Sequence, residues 1–253
     1  MPRLPHITVA LTAAAILTPF ASAGGDITYT VDGAEYEGYL AEATRDSKGL
    51  VIIIHDWDGL DDYERTRAEM LADQGYDAFA IDIYGKGNRP QEREKKMTEV
   101  RKLYSDRETM RTRILASLDV GRGQSGETDA VIMGYCFGGG ATLDLARSGE
   151  GENISGFATF HGGLATPEGA NYDATEAPIL ILHGGADAGI PNSDAAALAD
   201  ELEAANVPYQ LEIYSGAPHA WTVFGSDRYR ELADAQSWSA FSDFIELNLG
   251  RAG

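Results

Sequence analysis

Cys136 is the only cysteine in the sequence, and it lies between glycines in the run Gly134-Tyr-Cys-Phe-Gly138. The run follows a short apolar segment, 130–133, which predicts a strand, and it precedes a predicted helix that begins near Gly139. A sharp strand-turn-helix junction strains its central residue, and glycines two positions away remove side chains that would clash there. The pattern predicts a nucleophilic thiol, with the N–H of Phe137 aimed at an oxyanion. The alternative is a buried structural cysteine in a glycine-rich turn.

Two loops further along the chain carry side chains that could activate this thiol. The loop His183-Gly-Gly-Ala-Asp187 follows a predicted strand and offers a carboxylate, and the loop Ser215-Gly-Ala-Pro-His219 follows the next strand and offers an imidazole. Nucleophile, acid and histidine in this order are typical of α/β-hydrolases. We therefore predict that His219 is the base for Cys136 and that Asp187 orients its ring; the alternatives are a helix-capping Asp187 and an ordinary loop histidine. A cysteine needs little help from such a base, since it is already partly ionised near neutral pH.

Three further histidines are predicted to have other roles. His55 ends an apolar strand and begins the loop 55–59, whose place in the chain predicts that the N–H of Trp57 is the second oxyanion donor. His161 and His183 end buried strands beside glycine pairs, which favours structural hydrogen bonding. No H-x-x-x-H or H-x-x-E-H spacing occurs in the sequence, so a metal site is not expected. The side chains that such a site could use are His55, Asp56, Asp58 and His161.

Short β-branched runs that alternate with helical stretches must position these side chains. Continuous apolar strands separated by helices are typical of a parallel sheet that is buried on both faces. The sequence therefore predicts a three-layer α/β fold with a mostly parallel sheet and helices on both faces, in one domain over residues 24–253. The stretch from Asp26 to Leu40 alternates as an antiparallel edge strand would. The predicted strands are 49–55, 76–83, 130–133, 154–160, 178–182 and 209–214, and the predicted helices are 62–74, 90–120, 139–147, 193–205 and 228–249.

The balance of charges excludes one large class of partners. Forty acidic residues stand against 20 basic ones in 253 residues, which gives a formal net charge of −20. Such a field repels phosphate backbones, so nucleic acid is not expected as a partner. Ten of the basic residues nevertheless lie between Lys86 and Arg113, in what we call the basic segment. This segment is either the solvated face of an amphipathic helix pair or a means of attracting an anionic substrate.

The N-terminus has the pattern of an export signal. An apolar run at 7–20 is followed by Ala21-Ser-Ala23, the small-residue pattern at which signal peptidase cuts. The run is too short to span a bilayer, and Pro19 interrupts it near its end. We predict that residues 1–23 are a signal peptide and that the remaining chain is periplasmic or secreted, with no membrane association after cleavage. An uncleaved membrane anchor is the alternative.

With these motifs the sequence resembles the dienelactone hydrolase family, the cysteine-nucleophile branch of the α/β-hydrolases. The resemblance implies that Cys136 is the nucleophile, His219 its base and Asp187 the orienting acid. It also implies a thiol-modulating carboxylate at Asp56, where well-known members have glutamate, whose side chain is one methylene longer. The segments that carry the resemblance are His55-Asp-Trp-Asp-Gly-Leu60, Asp82-Ile-Tyr-Gly85, Gly134-Tyr-Cys-Phe-Gly-Gly-Gly140, His183-Gly-Gly-Ala-Asp187 and Pro218-His-Ala-Trp221.

Family members that act on dienelactones resemble one another in binding the substrate carboxylate with two arginines. At those positions this sequence has Lys86, which we predict to bind substrate weakly, and Val223, which carries no charge. We therefore expect a cofactor-independent hydrolase of a different small-molecule carboxylic ester or lactone, acting through an acyl-enzyme. The alternatives are amide hydrolysis or acyl transfer at the same site, and a non-catalytic binding protein that has kept the fold.

Overall fold

The computed structural model describes residues 24–250, and an eight-stranded sheet runs through them. The signal peptide predicted at 1–23 lies outside the described residues. The strands are β1 (Gly25–Val31), β2 (Ala34–Ala41), β3 (Leu50–Ile54), β4 (Asp77–Ile81), β5 (Ala130–Tyr135), β6 (Ile154–Phe160), β7 (Ile179–Gly184) and β8 (Tyr209–Tyr214). Their order across the sheet is β1-β2-β4-β3-β5-β6-β7-β8. The pairs β1–β2 and β2–β4 are antiparallel, and the other neighbouring pairs are parallel.

Helices cover both faces of the sheet, as the sequence predicts. They are α1 (Asp62–Asp73), α2 (Arg93–Ser105), α3 (Arg107–Ser125), α4 (Phe137–Ser148), α5 (Asn192–Ala205) and α6 (Glu231–Leu249). On one face Phe241 of α6 packs in the same apolar core as Val51 of β3, and on the other face Leu143 of α4 packs in a core with Ile52. Successive side chains of a strand point to opposite faces, so the uninterrupted apolar run Leu50–Ile54 is buried on both. The predicted three-layer α/β fold is confirmed.

One predicted element differs from the structure, and another is resolved into two parts. The edge strand predicted from Asp26 to Leu40 is a hairpin of β1 and β2, whose turn Asp32-Gly33 has φ angles of 51° and 79°. An Asp-Gly pair with positive φ at both positions is a favoured hairpin turn, so the sequence carried a signal that the prediction missed. The helical stretch predicted over 90–120 consists of two helices, in agreement with a helix pair, because Asp106 ends α2 and caps α3 by accepting the N–H of Thr109.

The carboxyl ends of the parallel strands lie at one edge of the sheet, which is where ligands bind in open α/β folds. The loops that follow β3, β5, β7 and β8 all leave from this edge. These are the loops that carry the predicted site residues. Among the helices described within 24–250, none combines the length and the apolar character that a membrane span requires.

Candidate active site

The turn between β5 and α4 holds Cys136 in a strained backbone conformation, with φ of 50° and ψ of −110°. Two glycines make room for this turn. A Cβ on Gly134 would lie 2.3 Å from the carbonyl group of Gly138, and a Cβ on Gly138 would lie 2.3 Å from the carbonyl oxygen of Ile54. The turn therefore has the geometry of a nucleophile elbow, and its glycines cannot carry side chains without moving the backbone.

His219 lies between Cys136 and Asp187 in one hydrogen-bonded array. Its Nε2 is 3.0 Å from the Cys136 Sγ, and its Nδ1 is 2.7 Å from Oδ2 of Asp187. The N–H groups of Gly189 and Ile190 donate to Oδ1 of Asp187 at 2.8 and 3.0 Å. Burial alone would raise the pKa of Asp187, but His219 and these N–H groups outweigh burial and hold that pKa below its usual value. An ionised Asp187 keeps the His219 proton on Nδ1, so Nε2 presents its lone pair to the thiol.

The surroundings of the Cys136 thiol disfavour its negatively charged form. Burial raises its pKa, and the nearby carboxylates of Asp56, Asp58 and Asp187 raise it further, while the N–H of Phe137 opposes the shift. The sequence-based expectation of a partly ionised thiol used the ordinary acidity of cysteine and did not include these surroundings. Nε2 of His219, 3.0 Å from the sulfur, is placed to accept the thiol proton.

The two predicted oxyanion donors come from the loop after β3 and from the start of α4. Phe137 is the first residue of α4, where the N–H has no acceptor within the helix. Trp57 lines the cavity that contains the thiol. Its loop is tied to α1 by Glu64, whose carboxylate oxygens accept the N–H groups of Asp56 at 3.2 Å and Asp61 at 3.1 Å. The structure thus brings both predicted donors to the elbow end of the sheet.

Asp56 also lines the cavity, but within residues 24–250 no hydrogen bond joins it to the thiol of Cys136. Its Oδ1 instead accepts the N–H of Asp58 at 3.0 Å. Burial raises the pKa of Asp56, and the neighbouring side chains of Asp58 and Glu64 add to the shift. Asp56 therefore lies close enough to influence the thiol only through its charge, and its thiol-modulating role stays a prediction.

Lys86 does not reach the cavity. Its Nζ donates to Oγ1 of Thr28 on β1 at 3.2 Å, and its backbone N–H donates to the carbonyl oxygen of Glu35 on β2 at 2.9 Å. Neither Lys86 nor Val223 is among the described residues that line the cavity. This position does not support the substrate-binding role predicted for Lys86. The physical reason is the hairpin of β1 and β2, which holds this side chain and which the sequence prediction treated as a single strand.

Two arginines that the sequence analysis did not single out line the cavity instead. The cavity has a volume of about 460 Å³ and includes Arg93, at the start of α2, and Arg228, in the loop that follows His219. Arg93 lies over the ring of Trp57 at 5.6 Å, and within the described part of the chain neither arginine makes an ion pair. The basic segment could have pointed to Arg93, whereas no local pattern in the sequence marks Arg228.

Most of the basic segment is a paired surface. Six of its ten basic residues form ion pairs with acidic side chains, which supports the interpretation of a helix pair with a solvated face. One of these pairs joins Lys96 to Asp58 in the loop after β3, so the segment also braces the wall of the cavity. Arg93 is the part of the segment whose charge remains available at the site.

The other histidines have structural positions. His55 accepts the N–H of Ile83 on Nε2 at 3.3 Å and donates from Nδ1 to the carbonyl oxygen of Asp56 at 2.6 Å. His161 is hydrogen-bonded through both ring nitrogens. His183 is completely buried in β7, and its structural hydrogen bonding stays a prediction. Within residues 24–250, no three His, Cys, Asp or Glu side chains converge as metal ligands would.

A mostly parallel eight-stranded sheet, covered by helices on both faces and carrying a nucleophile elbow after its fifth strand, defines an α/β-hydrolase. The family model for the dienelactone hydrolase family matches residues 36–248, and the chain belongs to this family. It is a dienelactone hydrolase-like hydrolase, as the sequence motifs predict.

Relatives and solved structures agree with this membership. A Salmonella typhimurium protein named "Putative carboxymethylenebutenolidase" is 24% identical to this chain, over 87% of this chain and 86% of its own length. A Saccharolobus solfataricus protein of the same name is 26% identical, over 87% of this chain and 97% of its own length. The crystal structure of a dienelactone hydrolase-like promiscuous phosphotriesterase from metagenomic libraries superposes with a TM-score of 0.81 at 27% identity, covering 90% of this chain and 99% of that chain.

Proposed function

We propose that this hydrolase cleaves a small-molecule carboxylic ester or lactone through a covalent acyl-enzyme on Cys136. The observation that carries the proposal is the array of Asp187, His219 and Cys136, joined by distances of 2.7 and 3.0 Å in the wall of a cavity of about 460 Å³. Carboxylate, imidazole and thiol in this arrangement can move a proton and form a covalent bond without a cofactor. We also propose a periplasmic or secreted location, which rests on the signal pattern of residues 1–23.

Acylation begins when Sγ of Cys136 attacks the carbonyl carbon and the thiol proton passes to Nε2 of His219. The C=O electron pair moves onto the oxygen, and the N–H groups of Phe137 and Trp57 donate to that oxyanion. When the tetrahedral intermediate collapses, the C–O bond to the leaving alcohol breaks and His219 returns the proton to the departing oxygen. A thioester remains on Cys136, and for a lactone the released hydroxyl stays attached through the acyl chain.

Deacylation uses the same groups in reverse. His219 takes a proton from a water molecule as the water oxygen attacks the thioester, and the same two N–H groups hold the second oxyanion. The C–S bond then breaks and the acid is released. Because burial raises the pKa of Cys136, the departing sulfur readily recovers the proton from His219.

Trapping the acyl-enzyme tests this proposal. Acid quenching during turnover of p-nitrophenyl acetate, followed by peptide mass spectrometry, should find an acetyl group on Cys136 that hydroxylamine removes. An acetyl group on a different residue would contradict the assignment. A panel of short esters, lactones and amides then identifies the bond: faster amide cleavage favours the amidase alternative, and no turnover together with an unreactive Cys136 favours a binding protein.

Arg93 and Arg228 favour a substrate that carries an anionic group near the scissile bond. The Arg93→Ala/Arg228→Ala double variant should raise KM for p-nitrophenyl hemisuccinate about fivefold, a modest effect because both guanidinium groups are exposed to solvent. KM for neutral p-nitrophenyl butyrate should stay the same. Arg101→Ala is the matched control, since Arg101 lies on α2 but does not line the cavity.

Varying the salt concentration distinguishes selection of substrate charge by the two arginines from an effect on the shape of the cavity. The preference of the wild-type enzyme for the anionic ester should shrink as ionic strength rises, because exposed charges are screened. Equal changes of KM for both esters in the double variant would show that the arginines shape the cavity and do not select charge.

A further inference from the structure

His161 connects the two loops that carry the thiol and the imidazole. It follows β6, is completely buried and has a positive φ of 42°. Its Nδ1 lies 3.1 Å from the backbone nitrogen of Cys136, and its Nε2 lies 2.8 Å from Oγ1 of Thr222. Thr222 comes three residues after His219 in the chain. One imidazole ring therefore spans the distance between the elbow and the loop of His219.

The hydrogen bonds determine the tautomer of His161. A backbone N–H always donates, so Nδ1 must accept from Cys136, and the proton of the neutral ring must lie on Nε2 and be donated to Thr222. Burial holds the pKa of His161 well below its usual value; nearby His219 and Arg67 also lower it, and Asp187 opposes them. A protonated ring would direct an N–H against the N–H of Cys136 and break this contact.

Thr222 is itself anchored to the body of the protein. Its Oγ1 lies 2.6 Å from the hydroxyl of Tyr63 on α1, and its carbonyl oxygen accepts a hydrogen bond from Arg67, also on α1, at 2.9 Å. Arg67 is completely buried and pairs with Asp234 on α6. The contact to Thr222 therefore joins His161 to a fixed point between two helices.

We infer that His161 is a positioning residue that sets the separation of the Cys136 thiol and the His219 imidazole. The ring holds the elbow nitrogen on one side and the anchored loop of His219 on the other, and these constraints keep Sγ and Nε2 3.0 Å apart. His161 also lies against the ring of His219, with centroids 5.2 Å apart, so its neutral state avoids repulsion when His219 takes the thiol proton. This role rests on the function proposed above.

The elbow has a second acceptor that makes the role testable. The Cys136 N–H is also 3.0 Å from the carbonyl oxygen of Phe160, so the backbone keeps one hydrogen bond when His161 is replaced. We therefore expect His161 variants to fold with an elbow that is less firmly oriented. The lower activity should come from a poorer alignment of the thiol with the imidazole, so kcat should fall while KM stays the same.

The experiment compares His161→Phe with Thr222→Val, which removes the hydroxyl that contacts both His161 and Tyr63 and keeps the size of the side chain. Thr159→Val is the matched control, because Thr159 is a buried threonine on β6 whose hydroxyl has no hydrogen-bond partner in the described residues. Two quantities are measured: kcat and KM for p-nitrophenyl acetate, and the rate of Cys136 alkylation by iodoacetamide against pH. Alkylation needs no ester, so it reports on the thiol and its base even if the proposed reaction is wrong.

We expect His161→Phe to lower kcat about 30-fold with KM unchanged, and to shift the alkylation profile. Thr222→Val should lower kcat about fivefold, and adding it to His161→Phe should lower kcat by much less than a further fivefold, because both changes break the contact between His161 and Thr222. His161→Asn, whose amide oxygen can accept the Cys136 N–H, should recover part of the loss. Thr159→Val should behave as the wild type.

Several results would overturn this role. One is a folded His161→Phe variant whose alkylation profile matches that of the wild type, whatever its kcat. Another is a double variant whose kcat is lowered by the full product of the two single-variant reductions. If His161→Phe does not fold, Thr222→Val and His161→Asn provide the test. Alkylation profiles equal to that of the wild type in both variants would exclude the positioning role. If the ester reaction itself fails but the alkylation profile still depends on His161 and Thr222, the positioning role stands and the proposed function falls.

Discussion

Cys136→Ala should lower turnover of p-nitrophenyl acetate by about 10⁴-fold or more, because it removes the nucleophile that the proposed acyl-enzyme requires. The variant should remain folded. It removes one sulfur atom from a partly exposed position, and alanine inherits the same backbone strain. The melting temperature should therefore change by only about 2–4 °C. Steady-state kinetics and thermal unfolding on the same preparation measure both quantities.

Cys136→Ser is the companion variant for this prediction. It keeps the shape of the side chain but replaces the thiol with a much less acidic hydroxyl, so activity should lie between those of the wild type and the alanine variant. If Cys136→Ala kept most of its turnover, the covalent route would be excluded. His219 would then have to activate water directly.

Asp187→Asn should lower kcat by about 10³–10⁴-fold with little change in KM. In the wild type the carboxylate accepts the Nδ1 proton of His219, which leaves the lone pair of Nε2 facing the thiol. An asparagine amide can donate to Nδ1 instead, which moves the ring proton to Nε2 and removes the base. It also removes the negative charge that stabilises the imidazolium formed during acylation.

The kinetics of Asp187→Asn are best measured near neutral pH. Because the folded-state pKa of Asp187 lies below its usual value, its stabilising interactions are present above the ordinary carboxyl range and are lost only as the pH falls through the acid range. Asp200→Asn is the matched control, since Asp200 is an exposed carboxylate on α5, the helix that follows the loop of Asp187. Wild-type kcat in Asp187→Asn would remove Asp187 from the catalytic machinery.

The candidate array was predictable because of where its members fall along the chain. Cys136, Asp187 and His219 each follow a predicted strand, and parallel strands that are buried on both faces must end at the same edge of the sheet. The glycines around Cys136 were an additional local signal, since the elbow leaves no space for a Cβ at Gly134 or Gly138. The hairpin turn at 32–33 was equally local and was missed only because the alternation around it was interpreted as one strand.

Charge at the site was not predictable in the same way. Lys86 stands at the position that the family comparison indicated, yet the hairpin of β1 and β2 holds it away from the cavity. Arg93 and Arg228 are more than a hundred residues apart in the chain and line one cavity. Their proximity depends on how α2 and the loop after His219 pack around the sheet, and no local sequence pattern records that packing.

The sequence by itself determined the α/β fold class, the elbow and the three side chains of the array. Strand periodicity, glycine spacing and chain order can all be read from the sequence, and a parallel sheet brings the residues that follow its strands to one edge. The tertiary structure alone decided the surroundings that raise the pKa of Cys136, the cations of the cavity and the contact of His161 with Thr222. Each of these depends on burial or on the meeting of distant segments. The pKa of a thiol follows from the charges and the solvent around it, and only the folded chain fixes both.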